Sequence, residues 1–175
     1  MGRDSEILRL SISVTSERTG GRIAAGLLTL GVLWAALIPL AAWRIASPST
    51  GAGRWAAAMV YAVGARVCHQ RPERSFEIAG VPWPVCGRCT GLYLSAGLMA
   101  LIGLVTGAAR LPSPASRAWR VIFVLAALPT AISWAAERLA AGDPGNLARA
   151  ACAIPLGAAV AAALAAVRRE GAHDT

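Results

Sequence analysis

Four apolar runs constrain this chain more than any other feature: residues 23–42, 90–109, 121–138 and 147–167. Each is close to the ~20 residues that a helix needs to cross a hydrocarbon core about 30 Å thick. A bilayer interior offers backbone amides no water, so a spanning segment must satisfy its own N–H and C=O groups, which a helix does. Of 175 residues, 56% are hydrophobic and only 15% charged, far from the balance of a water-soluble domain. The expected fold is therefore all-α: a polytopic membrane protein of four transmembrane helices, one short interfacial or re-entrant helix and a Cys/His-bearing loop.

The segments between the runs divide the chain further. Residues 1–22 mix Arg3, Asp4, Glu6, Arg9, Glu17 and Arg18 with serine, threonine and glycine, and are expected to form a disordered basic N-terminal tail. The run 23–42 is too long for the apolar core of a signal peptide and reads as a retained helix, closed by Trp43 and Arg44 at headgroup level. After a turn over 48–53, residues 54–67 are apolar for only roughly 13 positions, short of a span, and fit a helix lying in the interface or dipping into the bundle. Residues 68–89, broken by Pro72, Pro82 and Pro84, read as a loop with a short turn of strand around 76–78. Gly103 and Gly107 form a small flat patch for helix packing, and Pro129 should kink the third span. Residues 110–120, with Arg110, Pro112, Pro114 and Arg117, are a loop. Residues 23–169 thus make one membrane-embedded domain, followed by a tail over 170–175.

The net charge of +8 is carried by arginine, because the chain has no lysine. Most of these arginines flank apolar runs, as contact with anionic headgroups requires, and no basic-aromatic surface of the kind that reads bases is present, so the partner is a lipid bilayer and not a nucleic acid. Association of identical chains remains open. Arg110, Arg117, Arg120, Arg168 and Arg169 favour a cytoplasmic N-terminus and an outward-facing Cys/His loop in the cell membrane. Arg66, Arg71, Arg74 and Arg88 argue for the opposite face.

Chemistry concentrates in that loop. Cys68 and His69 are adjacent, and Cys86 and Cys89 follow in a Cys-x-x-Cys pair just before the second span. Four such donors match a closed tetrahedral site for zinc, with iron as another candidate, although neighbouring side chains diverge and only one of Cys68 and His69 need bind. The same atoms can instead run thiol–disulfide chemistry. Cys86 and Cys89 stand at a helix N-terminus, where the dipole and Arg88 stabilise a thiolate; Cys68 would be a relay thiol, His69 a proton carrier and a quinone the electron acceptor. A purely structural disulfide or packing role uses the same residues. A small transporter or channel is a third class, weakened by the scarcity of charge within the spans. Catalysis on a metal would require a base, and Glu73 or Glu77 is the nearby carboxylate. Cys152 reads as packing and His173 as a residue without a role.

Asn146 can cap the fourth span. Arg149, Glu137 and Arg138 flank one short loop. They are expected chiefly to snorkel to headgroups, the alternatives being a pair across the loop or a place for Arg149 beside the cysteines as partner of an anion or quinone oxygen.

The blocks Cys68-His69-Gln70-Arg71-Pro72-Glu73-Arg74-Ser75-Phe76 and Pro84-Val85-Cys86-Gly87-Arg88-Cys89-Thr90-Gly91-Leu92-Tyr93-Leu94, with Gly80 between them, resemble the signature of the membrane-protein family known as domain of unknown function 2085. The resemblance is strongest over residues 61–97. It implies several membrane helices and names no reaction. It further implies an aspartate–glycine pair in the third span where this chain has Ser133-Trp134, and keeps Asn146 and Arg149. It also implies supporting roles: Gln70 donating to a thiolate, Arg74 offsetting thiolate charge and Ser75 capping a turn.

Overall fold

The computed structural model describes residues 2–48, 51–107, 111–113, 115–139 and 142–173, with side chains over 19–172 within those ranges. Arg110, Pro114, residues 174–175 and the side chains of Arg3, Asp4, Glu6, Arg9, Glu17, Arg18 and His173 lie outside what is described. Five helices and one hairpin follow in order: α1 Gly2–Ala46, α2 Ala52–Val67, a 3₁₀ turn Pro72–Arg74, β1 Ser75–Ile78, β2 Val81–Cys86, α3 Gly87–Thr106, α4 Ala118–Arg138 and α5 Gly145–His173. Four helices are long and apolar enough to cross a membrane: Thr19–Ala46 within α1, Gly87–Thr106, Ala118–Arg138 and Gly145–Ala172.

Helices α1, α4 and α5 reach beyond their apolar blocks, whereas α3 starts three residues before its block and stops at Thr106, short of 109. Once a helix is nucleated, each further residue costs little, so polar flanks continue it into the headgroup region. The segment expected to be a disordered tail is accordingly the first part of α1, and Glu170 and Gly171 continue α5.

Small residues bring α1, α3 and α5 into close contact. Gly87 and Gly91, one turn apart on α3, face Asn146 and Ala150, also one turn apart on α5, while Gly97 meets Ala35 of α1 and Gly157 of α5 meets Leu92. Without a hydrophobic drive between helices in lipid, such backbone approach is what dispersion forces need to hold them. The expected Gly103 and Gly107 patch is half present. Gly103 packs on Ala165, whereas Gly107 ends α3 in the left-handed conformation (φ +69°) with open space around it. Arg168 Nη1 donates to the carbonyls of Gly103 (3.1 Å) and Leu104 (3.4 Å), satisfying acceptors that the end of α3 leaves unpaired. Buried Leu28, Ala100, Ala161 and Ala165 form the centre of the bundle. Pro129 lies within α4, which packs against α5.

α2 is not among the spans. It leans on the C-terminal end of α1 through Ala41, Ala57 and Val60. The following segment, expected to be a loop with a short turn of strand around 76–78, has that strand as β1 and pairs it with β2 in an antiparallel hairpin, with Ser75 opposite Cys86 and Glu77 opposite Pro82. Its turn, Ala79-Gly80, has φ of +49° and +76°, the type I′ geometry that matches strand twist. Ala79 holds a left-handed conformation that costs a residue with a Cβ about 1–2 kcal/mol. Ala79→Gly is expected to stabilise the hairpin by about 1 kcal/mol, read as slower amide exchange in β1 and β2; unchanged exchange would remove this strain from the account.

Candidate functional site

Three elements deliver the three cysteines. Cys68 ends α2 in an extended conformation, Cys86 is the last residue of β2 and the N-cap of α3, and Cys89 lies in the first turn of α3. The outward edge of β2 explains how they meet. Pro82 and Pro84 bring no N–H to that edge, so only their carbonyls need partners. The Tyr61 hydroxyl donates to Pro82 O (2.6 Å), and Gln70 Nε2 donates to both Pro84 O and Tyr61 O (2.8 Å each). Next along the edge, the Cys86 N–H donates to Cys68 Sγ at 3.2 Å. Gly64 permits this approach, since a Cβ there would lie 2.8 Å from Gln70 Nε2.

The Sγ atoms of Cys68, Cys86 and Cys89 all lie within 4.8 Å of one another. Tetrahedral zinc with Zn–S bonds of about 2.3 Å spaces its sulfurs roughly 3.8 Å apart, so small side-chain rotations suffice to close on an ion. The three are free thiols and half-buried. A hydrogen bond with the Cys89 side chain, aided by the amides of Cys89 and Arg88 and by Cys68, holds the Cys86 thiol down to about 5 although burial opposes it. His69 does not join them: its side chain is exposed and its ring nitrogens are outside the convergent group. Adjacent side chains diverge from an extended backbone, and Cys68 takes the inward position.

A cavity of about 420 Å³ opens beside the cluster and is lined by all three cysteines, His69, Trp134 and a set of charged residues. Its charged centre is Glu137 at the end of α4. Arg88 Nη2 donates to Glu137 Oε1 at 2.7 Å, Arg149 Nε to the same oxygen at 3.1 Å, and Arg74 Nη1 lies 3.4 Å from Oε2. Arg149 also pairs with Asp143 at 2.9 Å, and Arg88 donates to the Ser133 hydroxyl at 3.2 Å. The Asp143 carboxyl is held below the usual range, first by the Gly145 N–H and then by Arg149.

Several sequence expectations change here. Arg149 is 3% exposed and doubly ion-paired, so it does not snorkel; it lines the cavity with the cysteines. Asn146 is no cap, because Asp143 takes the Gly145 N–H, and Asn146 instead bridges: its Nδ2 donates to Ser75 O (2.8 Å) and its Oδ1 accepts from Arg149 (3.0 Å). Gln70 braces β2 and does not donate to a thiolate, and Arg74 neutralises Glu137. Ser75 is buried and donates to Arg71 O at 2.9 Å, closing the 3₁₀ turn. Glu73 and Glu77 are exposed; the carboxylate that lines the cavity is Glu137, whose pair with Arg149 across the short loop is formed and lies against the cavity. A lone acidic residue at the end of an apolar run is the signal that marks it. Cys152 lies away from the cluster, its carbonyl accepting from Thr130.

Comparison with known proteins agrees with this picture. A family model described as a predicted membrane protein, domain of unknown function 2085, matches residues 68–163, a stretch that begins at Cys68 and includes the whole cysteine cluster. An uncharacterised protein of Methanothermobacter thermautotrophicus is 30% identical over 95 residues, covering 54% of this chain and 81% of the relative. An uncharacterised protein of Methanocaldococcus jannaschii is 44% identical over 46 residues, covering 26% of this chain and 27% of the relative. No solved structure matches the chain. With more than half of its length matched and four helices of spanning length, the chain belongs to the domain of unknown function 2085 family and is a multi-pass membrane protein.

Proposed function

We propose that this protein holds one transition-metal ion, zinc by preference and iron as the other candidate, on the thiolates of Cys68, Cys86 and Cys89 at one end of its membrane bundle. The carrying observation is the convergence of three Sγ atoms within 4.8 Å from α2, β2 and α3. An amide hydrogen bond to Cys68 Sγ supports it, because N–H donors stabilise a metal thiolate, as does the nearby positive charge of Arg88. The cavity borders all three cysteines, so the fourth coordination position would face it and take water or a ligand. The ion would fasten the end of α2 and the hairpin to the head of α3. In the same reading the N-terminus is cytoplasmic and the cluster faces outward.

Metal analysis of protein purified without oxygen in mild detergent tests this. About one zinc or iron per chain is expected, lost in Cys86→Ser/Cys89→Ser and retained in His69→Ala, since His69 stands outside the cluster. Metal-free wild type, or metal that survives the double cysteine change, would sink the reading.

A second reading uses the contact between Cys86 and Cys89, with Cys68 close by as a third thiol. Oxidation to a disulfide would release two protons and two electrons to an acceptor such as a quinone, and Cys68 would exchange with the resulting bond. Metal-free wild type with a Cys86–Cys89 disulfide of defined potential would favour it.

A further inference from the structure

The cysteine-lined cavity carries more positive charge than its ion pairs use. Arg71, Arg74, Arg88, Arg138 and Arg149 line it, and Glu137 is its one carboxylate among the described residues. Glu137 has two oxygens and both are taken. Arg88 still has its Nε without a hydrogen-bond partner, the Arg71 side chain is exposed, and the Arg138 guanidinium stacks 5.2 Å from the Trp134 ring. Guanidinium groups gathered at a concave surface favour phosphate, which accepts their paired N–H donors.

Glu137 also lines a second, larger cavity of about 630 Å³ that runs down the seam between α4 and α5. Its walls are mostly apolar, with Leu125, Leu128, Ile132 and Ala148 among them, and the first three are exposed on the outer face of α4, where lipid would lie. An arginine-rich cavity at the bundle end thus adjoins an apolar groove within the span, with Glu137 as the wall they share. Such a pair of surfaces is complementary to a molecule with an anionic head and a hydrocarbon tail.

The geometry points to a binding site for an anionic phospholipid, its phosphate among Arg71, Arg88 and Arg138 and one acyl chain in the groove between α4 and α5. The site does not require the metal, because its charge and its groove come from other residues. If zinc is present, the phosphate would sit beside the open coordination position.

Binding of phosphatidic acid and of phosphatidylcholine with matched acyl chains, measured by native mass spectrometry on detergent-purified full-length protein, tests the inference. Phosphatidic acid is expected to bind about tenfold or more tightly than phosphatidylcholine, and Arg71→Gln/Arg138→Gln to abolish most of that preference. Ala148→Phe, which fills the groove, is expected to weaken phosphatidic acid while leaving competition by sodium phosphate unchanged. Should Ala148→Phe fail to fold, Leu128→Trp at the exposed rim serves in its place. Equal binding of the two lipids overturns the proposal. So does phosphate that displaces phosphatidic acid completely while groove filling has no effect, a result that would assign the arginines to a free anion. Metal content read on the same samples separates failure of this site from failure of the metal centre.

Discussion

Glu137→Gln is expected to destabilise the protein by about 3–5 kcal/mol, the cost of removing one partner from a buried charge network. The carboxylate is 8% exposed and holds Arg88, Arg149 and Arg74 from three elements. Without it, Arg149, itself 3% exposed, keeps the neutral Asn146 amide oxygen and, as its charge partner, the exposed carboxylate of Asp143. Arg88 keeps only a hydroxyl. The amide oxygen can still accept from Arg88 and Arg149, but its NH2 turns a donor toward Arg74 and the side chain cancels no charge, so the end of α4 should detach from α3 and α5. At this chain length the loss corresponds to a fall of roughly 10 °C in detergent thermal unfolding followed by tryptophan fluorescence. Adding Arg149→Met should recover part of it, because the stranded cation is then gone. A midpoint within one or two degrees of wild type would show that water replaces the carboxylate and that the network is not a clamp.

The second large effect is a change of sign within one substitution. Gly91→Ala would place a Cβ 2.7 Å from the Ala150 backbone, which can yield only if α3 and α5 move apart. Overpacking of this kind costs about 1–3 kcal/mol and more when the obstacle is backbone. The helices also carry Gly87 against Asn146 and Gly157 against Leu92, so separation at one contact loosens the others. At Gly26, exposed on α1 with nothing within 4 Å, the same change should stabilise by up to about 1 kcal/mol through helix propensity. Thermal midpoints of the two variants should therefore move in opposite directions. Equal shifts would mean that the contact between α3 and α5 is not the tight one.

Some of the site was legible from residue order alone. The Cys-x-x-Cys pair before an apolar run placed Cys86 and Cys89 at a helix start, and the neighbouring Cys68 made a shared site plausible. His69 was not separable from Cys68 by sequence, because which of two neighbours points inward depends on the backbone beyond α2. The sequence shows a turn of strand around 76–78, which is β1, but Pro82 and Pro84 argue against a strand where β2 lies. In a two-stranded sheet with an outer edge the argument fails, since Pro82 and Pro84 point their missing donors away from β1, and Tyr61 and Gln70 take the carbonyls. Spacing alone singles out Gly103 and Gly107, and it cannot tell a packed glycine from a helix-ending one. Spacing also left Gly87, Gly91 and Gly157 without partners to name.

By itself the sequence determined that the chain crosses a membrane as helices, since apolar runs of spanning length have no other way to satisfy their backbone in lipid. It also determined where the thiols lie along the chain. The tertiary structure alone decided which groups share a space: that Cys68 and not His69 joins the cluster, that Glu137 gathers arginines from the 3₁₀ turn, α3 and α5, and that this charged node opens onto the thiols. The reason is range. Hydropathy and helix length are set by neighbours within a few turns, whereas a site built by Ser75, Arg88, Glu137 and Arg149 depends on helix pairings that close glycine contacts select across the whole chain.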